Sequence, residues 1–309
     1  MKRIALVAAL ALLTSLQVYA EETFIAVLNE PQTDGPVESA SAKILFVKKG
    51  NQWRSVLDEW YGTKKLDIPD LQSTNWTVAF DGRSLGQLRL VDPDPADKKY
   101  NQNEDRRAGW FISRDKVFKP QTGQKIPKVA NRAKLFGGWA SVPENRPLVL
   151  VSKPNFSDPE HWKPISEEDS QLKALLHAPL RLVMGKFMLL RCPNVETYDT
   201  VPFDFQTEDM VIYQAYGSKN GLKIVAVGLD GNQYGCDGPQ PEEWSANWFL
   251  IDGKQLDFIG REMTLLDAGD YDGDGKSELL FWHSGYNEDG YILISDSFTQ
   301  KTAFTWKYH

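Results

Sequence analysis

Asp270-Tyr271-Asp272-Gly273-Asp274-Gly275-Lys276-Ser277-Glu278 sets carboxylates at the first, third, fifth and ninth positions of a short segment, with Gly275 at the sixth. A calcium ion takes about six to eight oxygens, and alternate acidic side chains on a curled backbone supply them while glycine turns the chain and the Lys276 carbonyl adds another. Three aspartates this close repel one another strongly without a cation. An EF-hand would place a bidentate Glu at the twelfth position, but Phe281 stands there. The flanks, Met263 to Leu266 and Leu279 to Trp282, read as strands. The loop therefore joins strands, and the surrounding chain is read as β.

Outward from this loop, short apolar or aromatic runs recur, each followed by a turn. Lys43 to Val47 is closed by Lys49-Gly50-Asn51 and answered by Trp53 to Val56; Trp76 to Phe80 is closed by Asp81-Gly82 and answered by Leu88 to Val91. Lys223 to Val227 meets Asp230-Gly231, and Trp248 to Ile251 meets Asp252-Gly253. Glu278 to Trp282 precedes Asp289-Gly290 and Tyr291 to Ile294. Asp-Gly between alternating runs signals a hairpin, because a type I′ turn needs positive φ at both central residues. The fold class expected is all-β, built of antiparallel hairpins.

One segment departs from this. Ser166-Glu167-Glu168-Asp169 opens a run with Leu172, Leu175 and Leu176 at helical spacing, and Pro179 is expected to end it. Residues 92 to 107 are proline-rich and then densely charged, which reads as an exposed loop. Residues 153 to 165 hold three prolines and few apolar residues, the best candidate boundary.

Asp-x-Asp-x-Asp-Gly-x-x-Glu followed by Leu279-Leu280-Phe281 resembles the calcium loop of FG-GAP/VCBS repeats, the blades of integrin-α-like β-propellers. The resemblance implies that Asp270, Asp272, Asp274, the Lys276 carbonyl and Glu278 coordinate Ca²⁺ and that the ion holds the turn between strands of a blade. It covers residues 263 to 295. The ninth position is more usually Asp, and Gly228-Leu229-Asp230-Gly231-Asn232 is at most a remnant of a second copy. Blades of about 40 to 45 residues would divide the chain into six or seven, within the propeller range. A β-propeller-like assembly over residues 21 to 309 is expected, and two β domains flanking residue 160 fit as an alternative.

The first twenty residues carry Lys2 and Arg3, an apolar run from Ile4 to Leu13, and Val18-Tyr19-Ala20 with small residues at −3 and −1. These are the parts of a secretory signal peptide, with cleavage expected after Ala20. A membrane span needs about 20 apolar residues, twice this run, and no Cys follows to carry a lipid. The formal charge is −7, or −9 once Lys2 and Arg3 leave with the peptide. A sequence pI of about 5.3 does not suit a phosphate-tracking surface. Periplasmic or secreted placement is expected. In such a compartment the only two cysteines, Cys192 and Cys236, are expected to form a disulfide.

Catalytic signatures are sparse. His161, His177, His283 and His309 show no zinc spacing, and no nucleophile elbow, dinucleotide fingerprint or P-loop occurs. Ser113-Arg114-Asp115-Lys116 matches a Ser-x-x-Lys pattern without its partner motifs. Trp282-His283-Ser284-Gly285-Tyr286-Asn287 lies directly beyond the calcium strand, and aromatic faces beside polar groups suit a sugar or peptide. Trp282, His283, Tyr286 and Asn287 are the expected partner site; Trp244 and Trp248, near Glu242 and Glu243, are the fallback. With ten tryptophans in the chain, most must pack in the core. The expected function is a calcium-stabilised binding or scaffold protein of the bacterial cell envelope, recognising a glycan or protein. The alternative is a periplasmic hydrolase acting on a glycan or envelope polymer, with acids among Asp289, Glu288, His283 and Asp237.

Overall fold

The larger antiparallel sheets have central strands buried on both faces, which is why those strands read as continuous hydrophobic runs. The computed structural model describes residues 22–29, 40–56, 71, 73–91, 117–130, 132, 145–166, 170–185, 189–193, 199–237 and 240–307. The leader, the charged loop at 92 to 107 and the Ser113 to Lys116 motif lie outside the described residues.

The N-terminal sheet contains β1 (Thr23–Asn29), β2 (Ser41–Lys49), β3 (Gln52–Ser55), β4 (Asn75–Phe80), β5 (Arg83–Val91), β6 (Val117–Pro120) and β7 (Leu148–Val151). Its order is β1-β7-β4-β5-β6-β2-β3, with β1 also pairing β2. β8 (Lys163–Pro164), β11 (Met210–Gly217), β12 (Lys223–Leu229), β13 (Asn247–Asp252) and β14 (Gln255–Arg261) form a second sheet, β14-β13-β12-β11-β8. A two-stranded ribbon, β9 (Leu190–Arg191) with β10 (Val201–Pro202), lies between β8 and β11 in the chain. The C-terminal sheet is a simple meander of β15 (Met263–Gly269), β16 (Glu278–Gly285), β17 (Glu288–Ser295) and β18 (Gln300–Lys307). The protein is thus mostly β with antiparallel sheets and one long helix among the described residues. Among the described residues only the C-terminal meander is a four-stranded sheet, and a propeller is not shown.

The meander is the middle layer. Along β16, Leu280 and Trp282 pack against Ile25, Val27, Phe46 and Val149 of the first sheet. Leu279 and Phe281 point the other way, onto Ile224, Ala226 and Trp248 of the second. That two-residue alternation is the ordinary strand period. Beyond the second sheet, Val225 and Val227 receive helix α1 (Ser170–Met184) through Leu172, Leu176, Leu180 and Met184.

Helix α1 corrects one expectation: Pro179 lies inside it, and Leu175 is 40% exposed. Proline removes one helical hydrogen bond and crowds the preceding turn. The four buried side chains recur every fourth residue on both sides of Pro179, and each contributes about 1.5–3 kcal/mol when buried. The helix stops instead at Gly185, which adopts φ +67° and donates its N–H to the Arg181 carbonyl at 3.2 Å, a left-handed C-terminal cap.

The turns are partly as read. Asp81 and Gly82 both take positive φ between Phe80 and Arg83, as a type I′ hairpin requires. Asp230-Gly231 makes no hairpin, because the Asp230 carboxylate accepts the Asn232 N–H at 3.0 Å and caps a short 3-10 turn. Asp289-Gly290 lies within β17, opposite Ser284 and His283. The tight turn falls earlier, at Tyr286-Asn287, where Asn287 tolerates φ +58°.

Candidate functional site

The acidic loop between β15 and β16 is folded around its own carboxylates. Asp270 Oδ1 accepts the N–H groups of Gly273 (2.6 Å) and Asp274 (3.0 Å), and its Oδ2 accepts Gly275 N–H at 2.9 Å. Asp272 accepts from Asp274 N–H at 3.1 Å, Asp274 from Lys276 N–H at 2.9 Å, and Glu278 from Tyr271 N–H at 2.9 Å. Gly273 and Gly275 take φ +79° and +87°, the sharp turning anticipated at this position.

Asp270, Asp272 and Glu278 bring carboxylate oxygens within 4.8 Å of one another and could hold a metal ion. Asp274 is exposed and outside that trio, and the Lys276 ammonium turns away to the Ser297 hydroxyl at 2.9 Å. Burial, then the charges of Asp272, Asp274 and Asp270, push the Glu278 carboxyl up to about 9. Burial also raises Asp270, its backbone hydrogen bonds opposing. Lys48 Nζ donates to Asp272 Oδ2 and Lys153 Nζ to the Asp272 carbonyl, so two ammonium groups from the first sheet's side already face it. The donor set is all oxygen, which fits a hard cation such as Ca²⁺.

The loop is strapped to the rest of the protein by residues of the 153 to 165 stretch, which the sequence marks only as a candidate boundary. Asp270 N–H donates to the Ser157 carbonyl at 2.9 Å, and the Ser277 hydroxyl donates to Asp158 at 2.6 Å. Asp158 also accepts Trp162 N–H at 2.6 Å, while Phe156 stacks on Tyr271 with ring centres 5.2 Å apart. No local pattern could reveal this, because the partners are more than a hundred residues apart. Phe156, Ser157 and Asp158 of the 153 to 165 stretch therefore pack on the acidic loop.

The expected partner residues divide between two faces. Trp282 is 1% exposed and packs on Tyr291 and Trp306, at 5.1 and 5.7 Å. His283, its neighbour, points outward into an open cleft of about 350 Å³ at the free end of the β16–β17 hairpin. Tyr286, 67% exposed, lines the same cleft, and Asn287 completes the turn beside it. Across from them stand Phe258, Arg261 and Glu262 at the end of the second sheet, with Glu242, Glu288 and Lys301 around the rim. His283 Nδ1 lies 3.2 Å from the Glu262 carbonyl, and burial lowers its pKa. Burial, then Glu242, push the Glu262 carboxyl up to about 7.

Of the hydrolase candidates, Glu288 and His283 reach this cleft. Asp289 is fully buried, and Asp237 sits beside Cys236 away from the cleft. Trp244 and Trp248 are core residues: Trp244 stacks on Phe203, and Trp248 donates its indole N–H to the Met263 carbonyl at 2.7 Å. Sequence reading missed Glu262, which lies at a strand junction with no motif around it.

Cys192 and Cys236 are joined. That bond suggests a location outside the cytoplasm. No described helix is long and apolar enough to cross a membrane. No family model, curated protein or solved structure matches the chain.

Proposed function

We propose that this is an exported, calcium-stabilised binding or scaffold protein of the cell envelope whose partner, a glycan or protein, docks in the cleft beside His283, Tyr286 and Asn287. In this reading the C-terminal meander is a blade-like unit of the FG-GAP/VCBS kind within a propeller-like assembly. Asp270, Asp272, Asp274, Glu278 and the Lys276 carbonyl hold Ca²⁺. The ion stiffens the turn from which β16 leaves, and β16 carries the partner site at its far end. A recognition surface held on a rigid element binds at lower entropic cost.

The observation that carries the binding reading is the cleft itself, with an exposed tyrosine ring standing among carboxylate, guanidinium and imidazole groups. Aromatic area with a few polar groups to fix orientation is what a small-ligand or sugar site requires. The test is a glycan and peptidoglycan-fragment array on protein lacking residues 1 to 20, with and without Ca²⁺, repeated with His283→Ala/Tyr286→Ala. Binding lost in the double variant at an unchanged melting temperature supports the site. Equal binding by wild type and variant moves the site elsewhere.

A hydrolase is the second reading, favoured by one observation: the Glu262 carboxyl, raised to about 7, shares the cleft with Glu242 and Glu288. A carboxyl protonated near neutrality suits a general acid. Mass spectrometry of array oligosaccharides after incubation separates the readings, since cleavage abolished by Glu262→Gln belongs only to the enzyme.

A further inference from the structure

Glu262 is held by its backbone and left free at its carboxyl. It joins β14 to β15 in the left-handed region at φ +54°, uncommon for a non-glycine residue and found where structure over-determines it. Its N–H donates to the Ala246 carbonyl at 3.0 Å, and its carbonyl accepts the Ser284 N–H at 3.0 Å, so both flanking sheets fix it. The side chain then runs over Gly285, where a Cβ would stand 2.6 Å from Oε2. The carboxyl has no hydrogen bond or ion pair with a described residue, although it is half-buried.

The charges around it do not supply one. Arg261 is bound to Glu243 at 2.8 Å. Lys301 lies against Gly260, where a Cβ would stand 3.4 Å from Nζ, and its charge couples to Glu288. Burial lowers the pKa of His283, which favours its neutral form near pH 7. Among the described residues three glutamates, 242, 262 and 288, line the cleft beside two cations, Arg261 and Lys301. Burial, then Glu242, raise the Glu262 pKa; Arg261 opposes without bonding the carboxyl, and Glu243 and Glu288 add to the rise, so the counter-charge present does not offset the burial.

We propose that the cleft binds the protonated amine of an amino sugar, with Glu262 as its ion-pairing partner and Tyr286 as the surface on which the sugar ring stacks. The inference rests on the binding reading of this cleft and names its ligand class. An anion would meet two further carboxylates of the lining, Glu242 and Glu288, and a neutral hydroxyl or acetamide N–H could hydrogen-bond Glu262 but would bring no charge to offset the three. An ammonium group supplies that charge and gains from the aromatic face beside it. Tyr286 and Phe258, 67% and 43% exposed, offer ring-sized area that a bare alkylammonium would leave empty.

Isothermal titration with glucosamine tetramer, its fully N-acetylated counterpart and cadaverine tests this on the leaderless protein at pH 7, where the sugar amine is still largely protonated and Glu262 is part-ionised. The amine tetramer is expected to bind at least about tenfold tighter than the acetylated one, and Glu262→Gln to erase that preference. Gly285→Ala is the second probe, because the added methyl meets Oε2 and must displace it; the same preference should fall. Tyr286→Ala should weaken both tetramers. Equal affinity for the two tetramers, both weakened by Tyr286→Ala, overturns the amine assignment while the binding reading survives. A preference for the amine that Glu262→Gln leaves intact overturns the role of Glu262. Cadaverine binding as tightly as the amine tetramer overturns the sugar, and no binding of any probe overturns the ligand class. Array ligands whose affinity ignores His283→Ala/Tyr286→Ala overturn the cleft reading itself.

Discussion

Asp267, fully buried on β15, accepts the main-chain N–H of Gly82 on Oδ1 at 2.9 Å, a bond that joins the C-terminal meander to the β4–β5 turn across most of the chain. The guanidinium of Arg146 approaches the same oxygen at 3.5 Å and bonds Asp81 at 2.6 Å, while the Tyr271 hydroxyl donates to Oδ2 at 3.4 Å. Burial pushes the Asp267 carboxyl up to about 6, with Arg146 opposing. The acidic loop begins three residues on, so the first sheet and the loop share one buried polar junction.

Asp267→Ala leaves Gly82 N–H and one face of Arg146 without their acceptor. Breaking a buried pair in this way costs about 3 kcal/mol or more. Asp267→Asn, which keeps an acceptor for Gly82, should lose less. Denaturant unfolding of the three proteins checks the order, and an alanine variant as stable as wild type would show that the junction contributes nothing.

Glu262 gives a pH dependence of definite sign. Its carboxyl keeps a proton to about pH 7 in the folded protein but loses it near the ordinary value of 4.5 when unfolded. The folded state therefore binds more protons between those values, and the group's contribution falls as pH rises from about 4.5 to 7. The facing groups are Glu242, Glu243, Arg261, His283, Glu288 and Lys301, and Glu262→Gln leaves them in place. Its melting temperature relative to wild type should be higher at pH 8 than at pH 4. A difference that does not change with pH would contradict the raised carboxyl.

The Cys192–Cys236 bond closes a loop with a sequence separation of 44, which in the chain-entropy model stabilises by about 3–4 kcal/mol. Cys192→Ser/Cys236→Ser should melt well below wild type under oxidising conditions and match reduced wild type. Non-reducing peptide mapping that finds free thiols in protein folded under oxidising conditions would remove the basis for this.

Strand content, the Asp81-Gly82 hairpin and the disulfide were legible because each is written locally or by elimination. Turn chemistry, alternation and two lone cysteines need no knowledge of distant partners. Pro179 misled because tertiary burial of Leu180 and Met184 outweighs a local helix breaker. Asp289-Gly290 misled because Tyr286-Asn287 competes for the same turn. Asp158, Arg146 and Glu262 were invisible, since what matters about them is a partner far along the chain. The stacking of three sheets was equally beyond a pattern that marks strands as buried without saying against what.

Trp282 and Tyr286 lie in one hairpin yet differ most in what they should do. Trp282→Ala removes a side chain packed in the core between two sheets and should cost about 3–5 kcal/mol. Tyr286→Ala, at an exposed turn, should stay within about 0.5 kcal/mol. Thermal and denaturant unfolding of the two variants measures this, and similar losses in both would mean the hairpin is oriented otherwise.

Calcium titration into metal-stripped protein, followed by melting temperature, bears most directly on the proposal as a whole. A ligand bound only by the folded state stabilises it by about 2.7 kcal/mol at a hundredfold excess over Kd. Wild type should show a saturable rise with Ca²⁺ and a much smaller one with Mg²⁺, which demands octahedral geometry. Asp272→Ala should show none. A wild-type melting temperature indifferent to calcium, or an Asp272→Ala protein that responds as wild type does, would contradict a metal-stabilised loop and leave Lys48 and Lys153 as the only counter-charges the acidic cluster needs.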